Sequence, residues 1–119
     1  MTERRPSIPG EILREEFLTH YEITQDELAK AMGVSRFRVN EIINGKRAIT
    51  AETAILLGKA LGTSAKFWVN LQTAVDLFDA GKKLAGVADA VRCLLPESEV
   101  VTDMPALPDP KHRGLSAAD

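Results

Sequence analysis

Four residues of the kind that cap helix starts, Thr24, Ser35, Thr50 and Ser64, alternate along the chain with four glycines, Gly33, Gly45, Gly62 and Gly81. A Ser or Thr hydroxyl accepts a hydrogen bond from an amide of the first helical turn that would otherwise go unpaired, and a glycine just past the last turn closes the helix in the left-handed backbone conformation. This alternation spells out an all-α fold of five helices. The first runs from about Gly10 to His20, opened by Pro9, with Ile12, Leu13, Phe17 and Leu18 on its buried side. Thr24-Gln25-Asp26-Glu27 fits a capping box, and the short second helix that it starts ends at Gly33. The third begins at Ser35 and buries Val39, Ile42 and Ile43, with Val34 as a hydrophobic staple; Arg36, Phe37, Asn40, Glu41 and Asn44 then share the opposite face.

The fourth helix, about Ala51 to Leu61, offers Ala54, Leu57 and Leu61 to the core with Ile55 beside them. Gly58 sits on that face, where a glycine costs about 1 kcal/mol against alanine and points to close approach of a neighbouring helix. The fifth, about Ala65 to Ala80, carries Phe67, Trp68, Leu71, Val75 and Phe78 at intervals of three and four, with Val69 and Leu77 on another side. A helix apolar on two sides has to be covered twice, by its own domain and by a partner. Beyond Gly81, the residues Leu84, Val87, Ala88, Val91, Leu94 and Leu95 predict a sixth, amphipathic helix that stops at Pro96. The remainder, with Pro105, Pro108 and Pro110, reads as an extended or disordered tail. The expected organisation is therefore a folded domain over 9–80, an additional helix over 81–95 and a tail over 96–119.

A length of 119 residues suits one such domain with an appendage. No apolar run approaches the roughly 18 to 20 residues that span a bilayer, and Met1 to Pro9 is polar, so no membrane partner and a cytoplasmic location are expected. The single Cys93 leaves no internal disulfide and no cysteine pair for zinc. His20 and His112 lack companions at ligand spacing, so no metal and no cofactor are expected. Glu15 and Glu16 are adjacent on a helix and diverge by about 100 degrees, which keeps them from acting as a catalytic carboxylate pair. No nucleophile, base and orienting group come together in the pattern, and an enzyme is the weakest reading.

The formal charge of -2 argues against a nucleic-acid partner only if charge is taken as a sum. Between Gly33 and Thr50 four cations, Arg36, Arg38, Lys46 and Arg47, face one acid, Glu41, a local charge of +3. The acids gather elsewhere, as at Glu11, Glu15, Glu16, Glu22, Asp76 and Asp79. One basic pole on an acidic molecule suits steered, oriented binding of DNA. Two short helices joined by a glycine turn, the second with its own cap, form a helix-turn-helix, whose second helix presents side chains to base edges in the major groove. On that helix Arg36 can pair with guanine through two parallel bonds, Asn40 one turn on can pair with adenine, and Phe37 can meet a thymine methyl. Gln25, Ser35, Arg38, Lys46 and Arg47 are the candidate phosphate contacts.

The stretch TQDELAKAMGVSRFRVNEIINGKRAIT resembles the lambda-repressor-like, or XRE-type, helix-turn-helix. PGEILREEFL near the start and SAKFWVNLQTAVDL from Ser64 to Leu77 narrow the resemblance to the HigA-type antitoxins of bacterial toxin-antitoxin pairs. What this resemblance implies is a homodimer that represses its own operon by binding operator DNA and neutralises a HigB-like toxin, an RNase that cleaves messenger RNA. It also implies that the fifth helix carries much of the dimer contact, with Trp68, Val69 and Leu77 as candidates. Two other readings stay open at this stage: a free-standing XRE-type regulator without a toxin, and a protein-protein adaptor that has lost DNA binding, whose only support is the acidic balance.

Overall fold

The computed structural model describes residues 4–96, and among these all regular structure is helical. Helix α1 (Pro9–Ile12) runs without a break into a π-helical stretch (Leu13–Thr19), followed by α2 (Gln25–Met32), α3 (Arg36–Ile43), α4 (Ala51–Leu61), α5 (Ala65–Lys83) and a single turn, α6 (Ala85–Ala88). The chain divides into two units between Ala85 and Gly86. No helix among the described residues is long and apolar enough to cross a membrane.

The caps form as the side chains dictate. Thr24 Oγ1 accepts from the Glu27 amide at 3.0 Å while the Glu27 carboxylate accepts from the Thr24 amide at 2.9 Å, a complete capping box. Ser35, Thr50 and Ser64 each accept from the amide three residues on, at 3.1, 3.2 and 3.1 Å. Such a cap stabilises a helix by about 1 kcal/mol. That matters for α2 and α3, eight residues each, which are too short to be stable without tertiary packing. Gly33 takes φ of 75° to end α2, and the Val34 amide then donates to the Ala29 carbonyl at 3.0 Å, so the chain turns sharply into α3.

Every helix of the first unit gives at least one fully enclosed side chain to a single core: Leu13, Leu28, Val39, Ile42, Leu57 and Trp68 are all at most 2% exposed. Removing each of these from water contributes about 1.5–3 kcal/mol. Val34, the expected staple, is partly buried and packs against this core. In the first helix the i→i+5 bonding of the π-helical stretch sets Leu13 and Leu18, five residues apart, on the same inward side, at 0% and 6% exposure. Helix α2 packs on α3 and α4, α4 packs on α5, and α1 packs on α3.

Two glycines owe their identity to close approach. A Cβ on Gly10 would lie 2.5 Å from the Ile43 carbonyl oxygen and would also strike the Ile42 carbonyl, so α1 rests directly on the end of α3. At Gly58 the neighbour is not another helix face but the chain's own turn, whose Thr63 carbonyl oxygen would be 2.7 Å from an added Cβ.

Several expectations are corrected. Gly81 caps nothing, because α5 continues through it to Lys83. Ile55 is 52% exposed and does not join the core. The helix expected over 81–95 shrinks to α6, and the residues from Val91 to Pro96 have no regular structure. Gly86 in its first turn is a poor helix former, and Leu84, Val87, Val91, Leu94 and Leu95 stay exposed among the described residues, so no burial supports a longer helix there. Cys93, beside that stripe, is exposed. The tail expected over 96–119 lies, from residue 97 onward, outside the described residues.

Gly10→Ala is expected to lower folding stability by about 1–3 kcal/mol, since backbone carbonyls cannot move aside for a methyl group. Urea denaturation of the two proteins measures this, and an unchanged midpoint would show that α1 does not bear on α3.

Candidate nucleic-acid interface

Helices α2 and α3, joined by Gly33, Val34 and Ser35, form the helix-turn-helix, and the burial of Val39, Ile42 and Ile43 decides which way α3 faces. With those three turned in, Arg36, Phe37, Asn40 and Asn44 lie exposed on the other side. Phe37 is 68% exposed, an unfavourable place for a large ring unless something covers it.

The polar side chains of this strip are already ordered. Asn40 Nδ2 donates to Gln25 Oε1 at 3.3 Å, and Asn44 Nδ2 donates to Asn40 Oδ1 at 3.1 Å. Three amides thus run in a chain from the start of α2 to the end of α3, holding Asn40 in one rotamer at modest entropic cost to any ligand. Arg36 lies within 3.6 Å of Asp26, a loose pair with both side chains mostly in water.

The remaining candidates fall into two groups. Lys46 is exposed, and Ser35 is exposed at the N-terminus of α3, its hydroxyl oxygen already accepting the cap bond while its hydrogen is left to donate. Arg47 is committed elsewhere: its Nε and Nη2 donate to Glu41 Oε1 at 2.9 and 2.7 Å, so this cation is offset by its own neighbour. Arg38, expected to meet a phosphate, is half-buried and turned toward α4, where Nη2 donates to Thr53 Oγ1 at 3.1 Å and Nε is buried without an acceptor. Helix α3 is thereby tied to α4 through a residue that patterning had assigned to phosphate. Sequence reasoning missed Gln25 as the support of Asn40, Asn44 as the end of the same chain, and Thr53 as the anchor of Arg38. Buried Thr53 in an otherwise apolar helix face was the available signal.

The N-terminal arm is tied to α5. Arg5 donates to both carboxylate oxygens of Asp79 at 2.9 Å, and these hydrogen bonds hold the Asp79 carboxyl below the usual carboxylate range. Gln72 accepts from the Ile49 amide at 2.8 Å, which fixes the loop that carries Lys46 and Arg47.

Of the three residues expected at a dimer contact, Trp68 is corrected. Its side chain is 0% exposed, its indole N–H donates to Thr63 Oγ1 at 2.7 Å, and it packs against Phe17 and Phe67 with ring centres 5.3 and 5.0 Å away. A side chain so enclosed has no surface to give a partner. Val69 is half-buried and Leu77 is 68% exposed, so the outer side of α5 is open at these two positions.

A helix-turn-helix family model matches residues 13–68. Antitoxin HigA-1 of Vibrio cholerae serotype O1 is 46% identical over 93 residues, which is 78% of this chain and 88% of that protein. This chain belongs to the HigA family of helix-turn-helix antitoxins. The solved Pseudomonas aeruginosa antitoxin HigA with the higBA promoter superimposes with a TM-score of 0.71 at 42% identity, covering 76% of this chain and all of that one. Antitoxin GraA in complex with its operator superimposes with a TM-score of 0.72 at 37% identity, covering 81% of this chain and 98% of that one. The HigA family is one of DNA-binding antitoxins and regulators, not of enzymes.

Glu41→Gln should free Arg47 and tighten binding to any duplex, operator or not, by roughly twofold to fivefold at low salt, the worth of one exposed ion pair. Fluorescence anisotropy with an operator and an unrelated duplex measures it; an unchanged affinity for both would mean that Arg47 takes no part.

Proposed function

We propose that this chain is the antitoxin of a toxin-antitoxin pair: as a homodimer it binds operator DNA and represses its own operon, and it neutralises a HigB-like toxin that cleaves messenger RNA. The observation that carries the DNA half is the outward strip of α3, with Phe37 exposed and Asn40 held ready by Gln25. In this reading α3 enters the major groove, Arg36 and Asn40 read base edges, and Phe37 covers a thymine methyl. Gln25, Ser35 and Lys46 take phosphates, and Arg47 does so by exchanging Glu41 for a phosphate oxygen. Arg38 acts from inside, fixing α3 on α4. Helix α5 supplies the dimer contact through Val69 and Leu77, and a two-fold axis there sets the α3 pair against half-sites about 34–36 Å apart.

Asn40→Ala should cost about 1–3 kcal/mol for each base pair that it reads and relax the preference there. Arg47→Ala should weaken all sequences alike and reduce the salt slope by about one. Binding isotherms on an operator and its single-base variants over a salt series separate these two effects; equal losses on every duplex for Asn40→Ala would remove it from base reading.

The antitoxin half is tested by co-expression. Growth arrest by the HigB-like product of the neighbouring gene should be relieved when this protein is abundant. Arrest that persists would leave a free-standing regulator with the same DNA chemistry.

A further inference from the structure

The loop over 45–49 carries two of the cations assigned to phosphate, Lys46 and Arg47, and has no regular structure of its own. Its shape is set from outside at both ends. A Cβ on Gly45 would lie 2.8 Å from Ile8 Cδ1, so the N-terminal arm closes directly on the loop backbone. At the other end the Ile49 amide donates to Gln72 Oε1 at 2.8 Å, and Gln72 Nε2 donates in turn to Asp76 Oδ1 at 2.9 Å. Gln72, Asp76 and Asp79, spaced by four and three, share one face of α5. That face holds the loop through Gln72 and the arm that covers it through Asp79. Arg5, Lys46, Arg47 and these three α5 residues all line one groove.

The arm can carry a constraint along its length. Pro6 and Pro9 each have a fixed φ, and each restricts the residue before it, Arg5 and Ile8, to extended backbone. Ile8 takes that conformation, at φ of -73° and ψ of 153°. Fixing Arg5 therefore fixes Ile8 three residues on, and with it the contact on Gly45. The two arginines of the groove are held differently. Arg47 spends both its nitrogens on a single oxygen of Glu41, whereas Arg5 makes two parallel bonds, Nε to Oδ1 and Nη2 to Oδ2, each 2.9 Å long. The parallel fork is the stronger and more directional arrangement, suited to staying closed while Arg47 exchanges its partner.

We infer that Arg5 and Asp79 are positioning residues for DNA binding: their ion pair straps the N-terminal arm over residues 45–49 and holds Lys46 and Arg47 where the phosphates of a duplex pass. This rests on the reading of Lys46 and Arg47 as phosphate contacts and adds what holds them. A loop ordered in advance loses less entropy when the duplex arrives.

Asp79→Ala separates this from charge alone, because removing an acid raises attraction for any duplex while opening the strap lowers it. Alanine is also the residue best suited to keep α5 helical. The full chain is titrated by fluorescence anisotropy with promoter DNA of its own operon and with an unrelated duplex. Both Kd values should rise by about twofold to fivefold, the range open to one exposed ion pair. The amides of Lys46 and Ile49, bonded to the Glu41 carbonyl and to Gln72, should exchange faster with deuterium. In a chain carrying Lys46→Ala and Arg47→Ala, the same substitution should cause no further loss, since nothing is left for the strap to place. Unchanged or tighter binding by Asp79→Ala would overturn the strap, tighter binding by making Arg5 a phosphate ligand that Asp79 holds back. Equal losses with and without Lys46 and Arg47 would also overturn it, by showing a loosening of the whole fold. Both outcomes leave the loop as a phosphate contact. Full affinity of the Lys46→Ala, Arg47→Ala chain would overturn that reading and the strap together.

Discussion

The seating of α3 is the constraint on which the interface depends. Its inward residues, Val39, Ile42 and Ile43, are buried against the core, and the backbone of α1 presses on its C-terminal end at Gly10, where a side chain would not fit. At its other end Ser35 caps it, and one turn on Arg38 ties it to Thr53 of α4. A helix of eight residues has little stability of its own. Its position is therefore a property of the whole unit, and so is the direction in which Arg36, Phe37 and Asn40 point.

Trp68 plays the corresponding part for α5. The ring fills the centre of the unit and its one polar atom is satisfied by Thr63 in the turn that ends α4, so the α4–α5 corner is locked by packing and by a hydrogen bond together. Locking that corner presents Val69 and Leu77 on a rigid outer face. A helix-turn-helix dimer reads two half-sites only if the distance between its recognition helices is fixed, and in the proposed dimer a rigid α5 is the element that would transmit that spacing.

The electrostatics of the basic pole are more restrained than a residue count implies. Four cations against one acid make a local charge of +3, yet Arg38 is turned inward, Arg47 is paired with Glu41 and Arg36 lies near Asp26. Each such pairing offsets a cation that would otherwise attract an arbitrary duplex. In the proposed DNA reading, an acidic protein with masked arginines trades non-specific affinity for discrimination.

Local chemistry alone settled much of this molecule. Capping residues and turn glycines placed α2, α3 and α4 within a residue or two, because those bonds join positions three or four apart and need no distant partner. The inward and outward sides of α3 were equally legible, since Val39, Ile42 and Ile43 follow the helical period. What needed the third dimension were contacts between residues far apart in the chain: Arg38 with Thr53, Gln25 with Asn40, Gly10 with the end of α3, and the enclosure of Trp68. The extent of the last helices belongs with these, because periodicity states which face a helix would bury but not whether the chain supplies anything to bury it against. Gly81 thus lies inside α5, and Leu94 lies outside any helix.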